Sequence, residues 1–402
     1  MKESGIDWIG QIPEEWKVTK LKYVLLISNG KDYKDIEVEE GGYPVIGSGG
    51  VFARARNYMY DGDVVLLGRK GTIDKPLFYS GKFWTVDTMF YSTALNGNNI
   101  KFMYYSSLLI PFSYYSTATA LPSMTQSDLN NHVLCLPSIS EQQKIADFLD
   151  KKTAQLDKAK SLLEEQIQKL KDYRASLIYE TVTKGLDKTV PLKDSGIDWI
   201  GQVPEGWGVK RLKDYVDFQT GTTPPQSIGV NQERKGVCWF KPGDFSDESI
   251  DLTSAENYIT SEIVNQQKLS VYPEKTILVV GIASIGKVGY SENSSYSNQQ
   301  ITALKVIGQI FPKYLAYFMF SSGQYIRETA LYTVVPIINN QYLSSLKIVL
   351  PNLEEQESIV EYLDRQIMQI NKMIVIKNEQ IKNINKQRQT LIYDYVTGKR
   401  RV

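Results

Sequence analysis

Two segments carry a long apolar stripe of helical period. The rest carries short apolar runs broken by glycine and polar residues. Residues 141–180 and 354–397, glycine- and proline-free, are the helical segments. Leu149, Leu156, Leu163, Leu170 and Leu177 recur every seven residues. In the second segment Leu363, Ile370, Ile384 and Leu391 keep that spacing, with Lys377 interrupting and Ile367, Ile374 and Ile381 adding a neighbouring stripe. A sustained seven-residue period predicts a coiled-coil seam. Ser138 with Glu141, and Asn352 with Glu355, have capping-box spacing at the start of each helix. Forty helical residues reach about 60 Å. A helix with one apolar stripe needs a partner, and the economical one is the other long helix. The path of the chain favours an antiparallel pair holding two globular parts apart. Packing of the stripes on other subunits is the alternative, and both can hold along different lengths.

Residues 1–137 and 192–351 are rich in Tyr, Val, Ile and Phe, in short runs broken by Gly, Asn, Asp and Ser. Residues 63–67 and 276–280 predict buried strands ending in glycine turns. Residues 102–109 and 314–320 predict short helices. These patterns imply a mixed α+β domain whose strand order the pattern does not give.

The chain is one unit written twice. The eight residues from Ser4 to Gln11 recur letter for letter from Ser195 to Gln202, 191 positions later. Trp16 answers Trp207 at the same offset. The stretch from Leu136 to Gln142 answers that from Leu350 to Gln356, now 214 positions later, so the second unit carries 23 extra residues. Leu177-Ile-Tyr179 answers Leu391-Ile-Tyr393 at this larger offset. The middles diverge: Gly-Arg-Lys-Gly-Thr at 68–72 stands against Gly-Ile-Ala-Ser-Ile at 281–285, and Leu-Pro-Ser-Met-Thr-Gln at 121–126 against Val-Pro-Ile-Ile-Asn-Asn at 335–340. One scaffold presenting two different surfaces is the functional reading. A drifted duplication is the plain one. Trp8, Trp16, Trp199 and Trp207 lie in the repeated opening segment and read as packing anchors.

Composition narrows the class. A chain of 402 residues, 42% apolar and 23% charged, is ordinary for globular proteins and long enough for two to three domains. No run approaches the ~18 apolar residues of a membrane span, and no apolar stretch follows Met1 as in a secretion signal. Cys135 and Cys238 are far apart and lack nearby ligand-type residues, so neither a metal nor a disulfide framework is expected, which suits a cytoplasmic protein. The net charge is only +1, whereas DNA-binding proteins are often strongly basic. Any DNA contact then needs local positive charge or help from partners.

The loops hold polar groups suited to DNA. In the first unit they are Ser48, Arg54, Arg56, Arg69, Lys70, Thr72, Lys75, Thr119, Ser123, Thr125 and Gln126. In the second they are Thr220, Thr222, Thr223, Lys241, Ser284, Lys287, Asn298, Gln299, Gln300, Asn339, Asn340 and Gln341. Arg and Lys bridge guanine O6 and N7, and Asn and Gln pair with adenine. Hydroxyls hold phosphates. Each alone is an ordinary loop residue; the set gains weight because it falls where the repeats differ. Catalytic parts are missing. His132 is the sole histidine and has no duplicate, which makes it a structural residue. There is no Gly-rich nucleotide loop ending in Lys-Ser or Lys-Thr, and no methyltransferase-like Asn-Pro-Pro-Tyr or Asp-Pro-Pro-Tyr. The Glu-x-Lys spacing at 233–235 lacks an upstream Pro-Asp and reads as chance.

The stretch from Asp7 to Trp16 and its repeat from Asp198 to Trp207 resemble the start of each target-recognition domain in type I restriction–modification specificity subunits. Residues 43–49, 120–126 and 136–142, leading into a long helix, resemble the same family, over essentially the whole chain. Unit two departs in its wording at 335–340, which leaves its target bases open. The resemblance implies an α+β fold with two homologous globular target-recognition domains separated by two long antiparallel coiled-coil helices. The expected segments are 1–138, 139–185, 186–352 and 353–402. Each globular domain is then expected to read half of a bipartite double-stranded DNA target in the major groove, with the helices setting the spacer. The implied partners are two modification subunits, which bind S-adenosylmethionine and methylate adenine, and two restriction subunits, which use ATP and Mg2+. The chain itself is expected to hold no cofactor, no metal and no catalytic residue. A solitary bipartite DNA-binding regulator and a coiled-coil protein scaffold are the alternatives.

Overall fold

A computed structural model describes residues 1–115, 122–223, 236–266, 269–332 and 336–402. Two compact units emerge: unit 1 is Met1–Leu163 with Asn378–Val402, and unit 2 is Glu164–Lys377. The long helices are Ile139–Lys184 and Leu353–Val396. Unit 1 therefore holds the start of the first and the end of the second, and unit 2 the converse.

The duplicated ends of the sequence build the same device in both units. In unit 1 the strand Lys17–Lys20 pairs antiparallel with Val133–Leu136, placing Lys17 opposite Leu136. In unit 2 Gly208–Arg211 pairs with Lys347–Leu350, and Gly208 stands opposite Leu350. Each unit is thus closed by its last strand immediately before a long helix begins. Trp16 and Trp207 are buried at this closure. Their indole N–H groups donate to Glu141 Oε2 at 3.1 Å and to Glu355 Oε1 at 3.2 Å. This corrects the capping-box reading. Ser138 Oγ and Asn352 Oδ1 do accept from the backbone N–H of Glu141 and Glu355, but the glutamates turn to the tryptophans instead of reaching back to the cap.

Unit 1 contains a seven-stranded sheet in the order Leu25–Asn29, Met89–Ala94, Tyr60–Gly68, Leu77–Thr85, Tyr43–Gly47, Gly50–Ala55, Glu37–Val38. Neighbours are antiparallel, except that Val45 and Ile46 run parallel to Trp84 and Thr85. The expected strand at 63–67 lies within Tyr60–Gly68, with Val64 to Leu67 fully buried. In unit 2 Val216–Thr220, Ile301–Val306, Thr276–Val280 and Val288–Ser291 form a four-stranded sheet, matching in order the first four strands of unit 1. The counterpart of Leu77–Thr85 is broken into Val288–Ser291 and Ser295–Ser297, and the second piece pairs parallel with Val237–Phe240. The short helices are Ile100–Ser107 and Pro312–Ser321.

Each short helix grips a long one through a duplicated set. Lys101 and Tyr105 bind Asp150 in unit 1. Lys313 and Tyr317 bind Asp364 in unit 2, at 2.9 and 2.6 Å. The far ends of the long helices serve the opening segments. Tyr393 donates to Trp8 O at 2.9 Å within unit 1, and Tyr179 to Trp199 O at 3.0 Å within unit 2.

The two helices pair antiparallel in each unit. In unit 1 the Phe148 and Tyr395 rings lie 4.5 Å apart, and Arg388 is 3.3 Å from Asp157. In unit 2 Gln166 Oε1 accepts from Lys377 Nζ, and Asn371 Oδ1 from Arg174, both at 2.5 Å. As the residue number rises along one helix, its partner's number falls on the other. Of the positions with the seven-residue spacing, Leu149 and Leu363 are buried in the hydrophobic cores of their own units and Ile370 is buried, while Leu156, Leu163, Leu170, Leu177, Ile384 and Leu391 are half-buried. Burial of one such side chain contributes about 1.5–3 kcal/mol when complete. Lys377 occupies a seam position yet finds an amide across it, as polar residues that fix register in coiled coils do.

His132 is buried, and its Nδ1 lies 3.0 Å from the Tyr115 hydroxyl. Burial pushes its pKa down to about 4, so the ring is neutral at pH 7. Burial also raises the Cys135 thiol to about 11. Among the described residues no helix is long and apolar enough to cross a membrane, and no cluster of His, Cys, Asp or Glu could hold a metal ion.

Candidate nucleic-acid interface

The divergent loops meet at one end of each sheet, held by the same backbone bonds. In unit 1 Arg69 and Lys70 donate their N–H groups to Thr88 O, and Met124 N donates to Arg69 O at 3.0 Å. A bridge joins Lys70 to Ser123. In unit 2 Gly281 N donates to Gln300 O at 2.8 Å, Ile338 N donates to Gly281 O at 2.9 Å, and a bridge joins Ile282 to Ile337. These bonds set the correspondence. Gly281 stands where Arg69 stands, Ile282 where Lys70 stands, and Ile337 where Ser123 stands. The sequence comparison that set Gly68 against Gly281 is therefore displaced by one residue in this loop.

A glycine fixes the neighbouring turn in each unit. A Cβ on Gly30 would lie 2.0 Å from Val86 O, and one on Gly221 would lie 2.2 Å from Asn298 O. Only glycine lets the chain approach so closely. Gly30 N donates to Met89 O and Gly221 N to Ile301 O, both at 3.0 Å. Residues 85–88 in unit 1 thereby match 297–300 in unit 2, putting Asp87 opposite Gln299 and Thr88 opposite Gln300.

The structure brings part of the expected set together. In unit 2 Thr220, Gln299, Gln300, Asn339, Asn340 and Gln341 line one open groove of about 420 Å³, along with Thr302, Ile282 and Ile337. Thr223 bonds Gln299, and Asn298 bonds Gln300 at 3.0 Å. Thr222 N donates to Ser297 O, which keeps it beside the rim. Lys241 follows the strand that reaches Asn298 and lies 4.9 Å from the centre of the Trp239 ring. Lys287 is turned elsewhere, bound to Phe245 O and to Asp247 at 3.1 Å. Ser284 sits in the hairpin turn before it and does not line the groove.

In unit 1 Arg69, Lys70, Ser123, Thr125 and Gln126 share one rim, and Thr72 and Lys75 are exposed on the loop that follows. Three of these have structural work. Thr125 caps the helix Gln126–Asn131, and Gln126 Nε2 donates to Ile27 O at 2.6 Å. Arg69 donates to Asp87 O at 3.3 Å and covers the Phe90 ring at 5.9 Å. Ser48 lies at the Gly47–Gly50 turn. Arg54 is at the other end of that hairpin, opposite Pro44, and both it and Arg56 donate to backbone carbonyls. Thr119 and residues 233–235 lie outside the described residues. Sequence reasoning missed Asp87, Thr88, Ile282, Ile337 and both turn glycines. The spacing of 85–88 ahead of its strand, equal to that of 297–300, was the available signal.

The chain matches the family described as type I restriction modification DNA specificity domain over residues 13–171 and again over 204–384. It belongs to that family. The duplicated frame is the family's domain, present twice. Among its relatives, the type I restriction enzyme MjaVIII specificity subunit of Methanocaldococcus jannaschii is 22% identical over 98% of this chain and 94% of its own length. The EcoBI specificity subunit of Escherichia coli is 22% identical over 97% and 87%. The fold resembles a chain solved in work on complex assembly and conformational transition of the type I R-M system, with TM-score 0.74 at 18% identity over 96% of this chain and 98% of that one. It also resembles the HsdS subunit from Thermoanaerobacter tengcongensis, with TM-score 0.52 at 18% identity over 99% and 100%.

Proposed function

We propose that the chain is the DNA-reading subunit of a type I restriction–modification complex, each globular part reading one half of a bipartite target in the major groove. The observation that carries this is a single backbone frame, built twice, whose loop rims carry different side chains at matched positions. The functional division is 1–138 and 186–352 for recognition, with 139–185 and 353–402 as helical spacers. The helix pair sets the number of unread base pairs and docks two modification subunits. Those subunits bind S-adenosylmethionine and methylate adenine. Two restriction subunits supply ATP- and Mg2+-dependent translocation and cleavage. This chain contributes recognition and no catalytic group, and works in the cytoplasm. Partners that share the phosphate contacts explain why its net charge of +1 suffices.

Long-read methylation mapping tests the proposal. A host expressing this chain with its modification subunit should show a split adenine-methylated motif that is absent when this chain is omitted. Identical maps in the two hosts would refute it.

A further inference from the structure

The rim of unit 2 offers amide groups and no charge. The side-chain oxygens of Asn298, Gln299, Gln300, Asn339 and Asn340 each already accept one bond, while the exposed Gln341 amide on the same groove makes none among the described residues. Asn339 Oδ1 accepts from Tyr342 N at 2.9 Å. Asn298 Oδ1 accepts from Gln300 N, so its amide nitrogen must be the group that donates to Gln300 Oε1. The side of Gln300 left over is therefore its NH2. Gln299 Oε1 accepts from the Thr223 hydroxyl, and Asn340 Oδ1 from Thr302 at 3.1 Å. What remains for a ligand is chiefly amide N–H donors, on Gln299, Gln300 and Asn339, with Asn340 Nδ2 also reaching Thr220 Oγ1 at 3.4 Å and Gln341 offering both a donor and an acceptor. Beside them lies Ile337, an aliphatic side chain 43% exposed on the same groove.

A row of uncharged donors next to an apolar side chain matches the major-groove edge of a thymine–adenine pair. Thymine O4 and adenine N7 accept, and the thymine 5-methyl seeks apolar contact. The adenine N6 donor can use the Gln341 amide oxygen, which accepts no bond among the described residues. The matched positions in unit 1 carry opposite chemistry. Arg69 and Lys70 replace Gly281 and Ile282, and the exposed Asp87 replaces Gln299. A cationic pair suits guanine O6 and N7, and a carboxylate accepts from cytosine N4. We infer that this matched rim is the base-reading element of each unit, fitted in unit 2 to a thymine–adenine pair with the thymine methyl against Ile337, and in unit 1 to a guanine–cytosine pair at Arg69. The inference rests on the proposed function and deepens it by assigning which residues read and what they read.

The test uses the full complex and duplexes carrying the mapped target. Each thymine of the unit 2 half is replaced in turn by uracil, which removes only the 5-methyl. At one position binding should weaken about fourfold, the equivalent of about 0.8 kcal/mol for a buried carbon. In Ile337→Ala that thymine–uracil difference should vanish, an effect that mere loosening of the fold would not produce. Arg69→Ala should relax selection at one guanine–cytosine position of the other half by about tenfold, leaving the unit 2 half unchanged. Uracil tolerated at every position, or a difference that survives in Ile337→Ala, would overturn the assignment in unit 2. Unaltered selection in Arg69→Ala would overturn it in unit 1. A complex that methylates no split motif at all would instead defeat the proposed function, and this inference with it.

Discussion

Adding one methyl group at Gly221 should damage unit 2 and spare unit 1. The new carbon would stand 2.2 Å from Asn298 O, 2.3 Å from Ser297 O and 2.5 Å from Ser297 Oγ. Two of these are backbone atoms and cannot swing aside. Relief needs a backbone shift of roughly 1 Å to reach ordinary contact distances. Such a shift breaks the bonds from Gly221 N to Ile301 O and from Thr222 N to Ser297 O, each 3.0 Å. Leaving a buried peptide group unpaired costs about 1–3 kcal/mol, so Gly221→Ala should lose about 2–6 kcal/mol across the two bonds. With a urea dependence of about 2 kcal/mol per M, the midpoint of unit 2 should fall by about 1–3 M. A chain with two units need not unfold in one step, so the assay is hydrogen exchange read peptide by peptide along a urea series. Gly206→Ala is the control, because nothing lies within 4 Å of its added carbon. The same shift displaces Gln299 and Gln300, so reading of one half-site should fail while the other persists. A Gly221→Ala chain with the midpoint of Gly206→Ala would refute the reasoning.

Glu355→Ala should destabilise unit 2 by about 1–2 kcal/mol, because a partly buried indole N–H loses its charged acceptor; an unchanged urea midpoint would contradict the role assigned to Glu355. The depressed pKa of His132 means that the folded chain binds fewer protons there than the unfolded chain, whose histidine titrates near 6.5. Stability from this group is therefore complete above about pH 6.5 and is lost as the pH falls toward about 4, a difference of about 3 kcal/mol. His132→Asn should flatten that part of the pH profile measured by urea unfolding of unit 1, and a profile identical to the parent's would exclude His132 as its source. DNA affinity of the complex should fall by a factor of roughly 10³ or more between 50 and 200 mM salt, as phosphate contacts demand; a salt-independent affinity measured by titration would argue against a DNA interface.

The frame was legible in the sequence because repetition and periodicity are local signals. The heptad leucines, the duplicated segment from Ser4 to Gln11, and the runs that became Tyr60–Gly68 and Thr276–Val280 could all be read without tertiary information. What could not be read depends on contacts between distant segments. Glu141 has capping-box spacing, but Trp16, 125 positions away, takes its carboxylate. Arg54 and Gln126 look like free loop groups until the fold delivers carbonyls to them. The offset of the middle loop also escaped, since Gly68 and Gly281 are the same letter while the backbone bonds align Arg69 with Gly281. Ile337 was passed over because recognition was sought among polar residues. Its place beside the amides appears only when the groove is assembled.

The most direct test of the account is the affinity of the complex for duplexes that keep both mapped half-sites and vary only the number of base pairs between them. Each added pair moves one half by about 3.4 Å and turns it by roughly a tenth of a helical turn. One chain reading both halves across a paired-helix spacer predicts a single preferred spacing and a steep loss on either side. Equal affinity at all spacings, or equal affinity for either half alone, would contradict it.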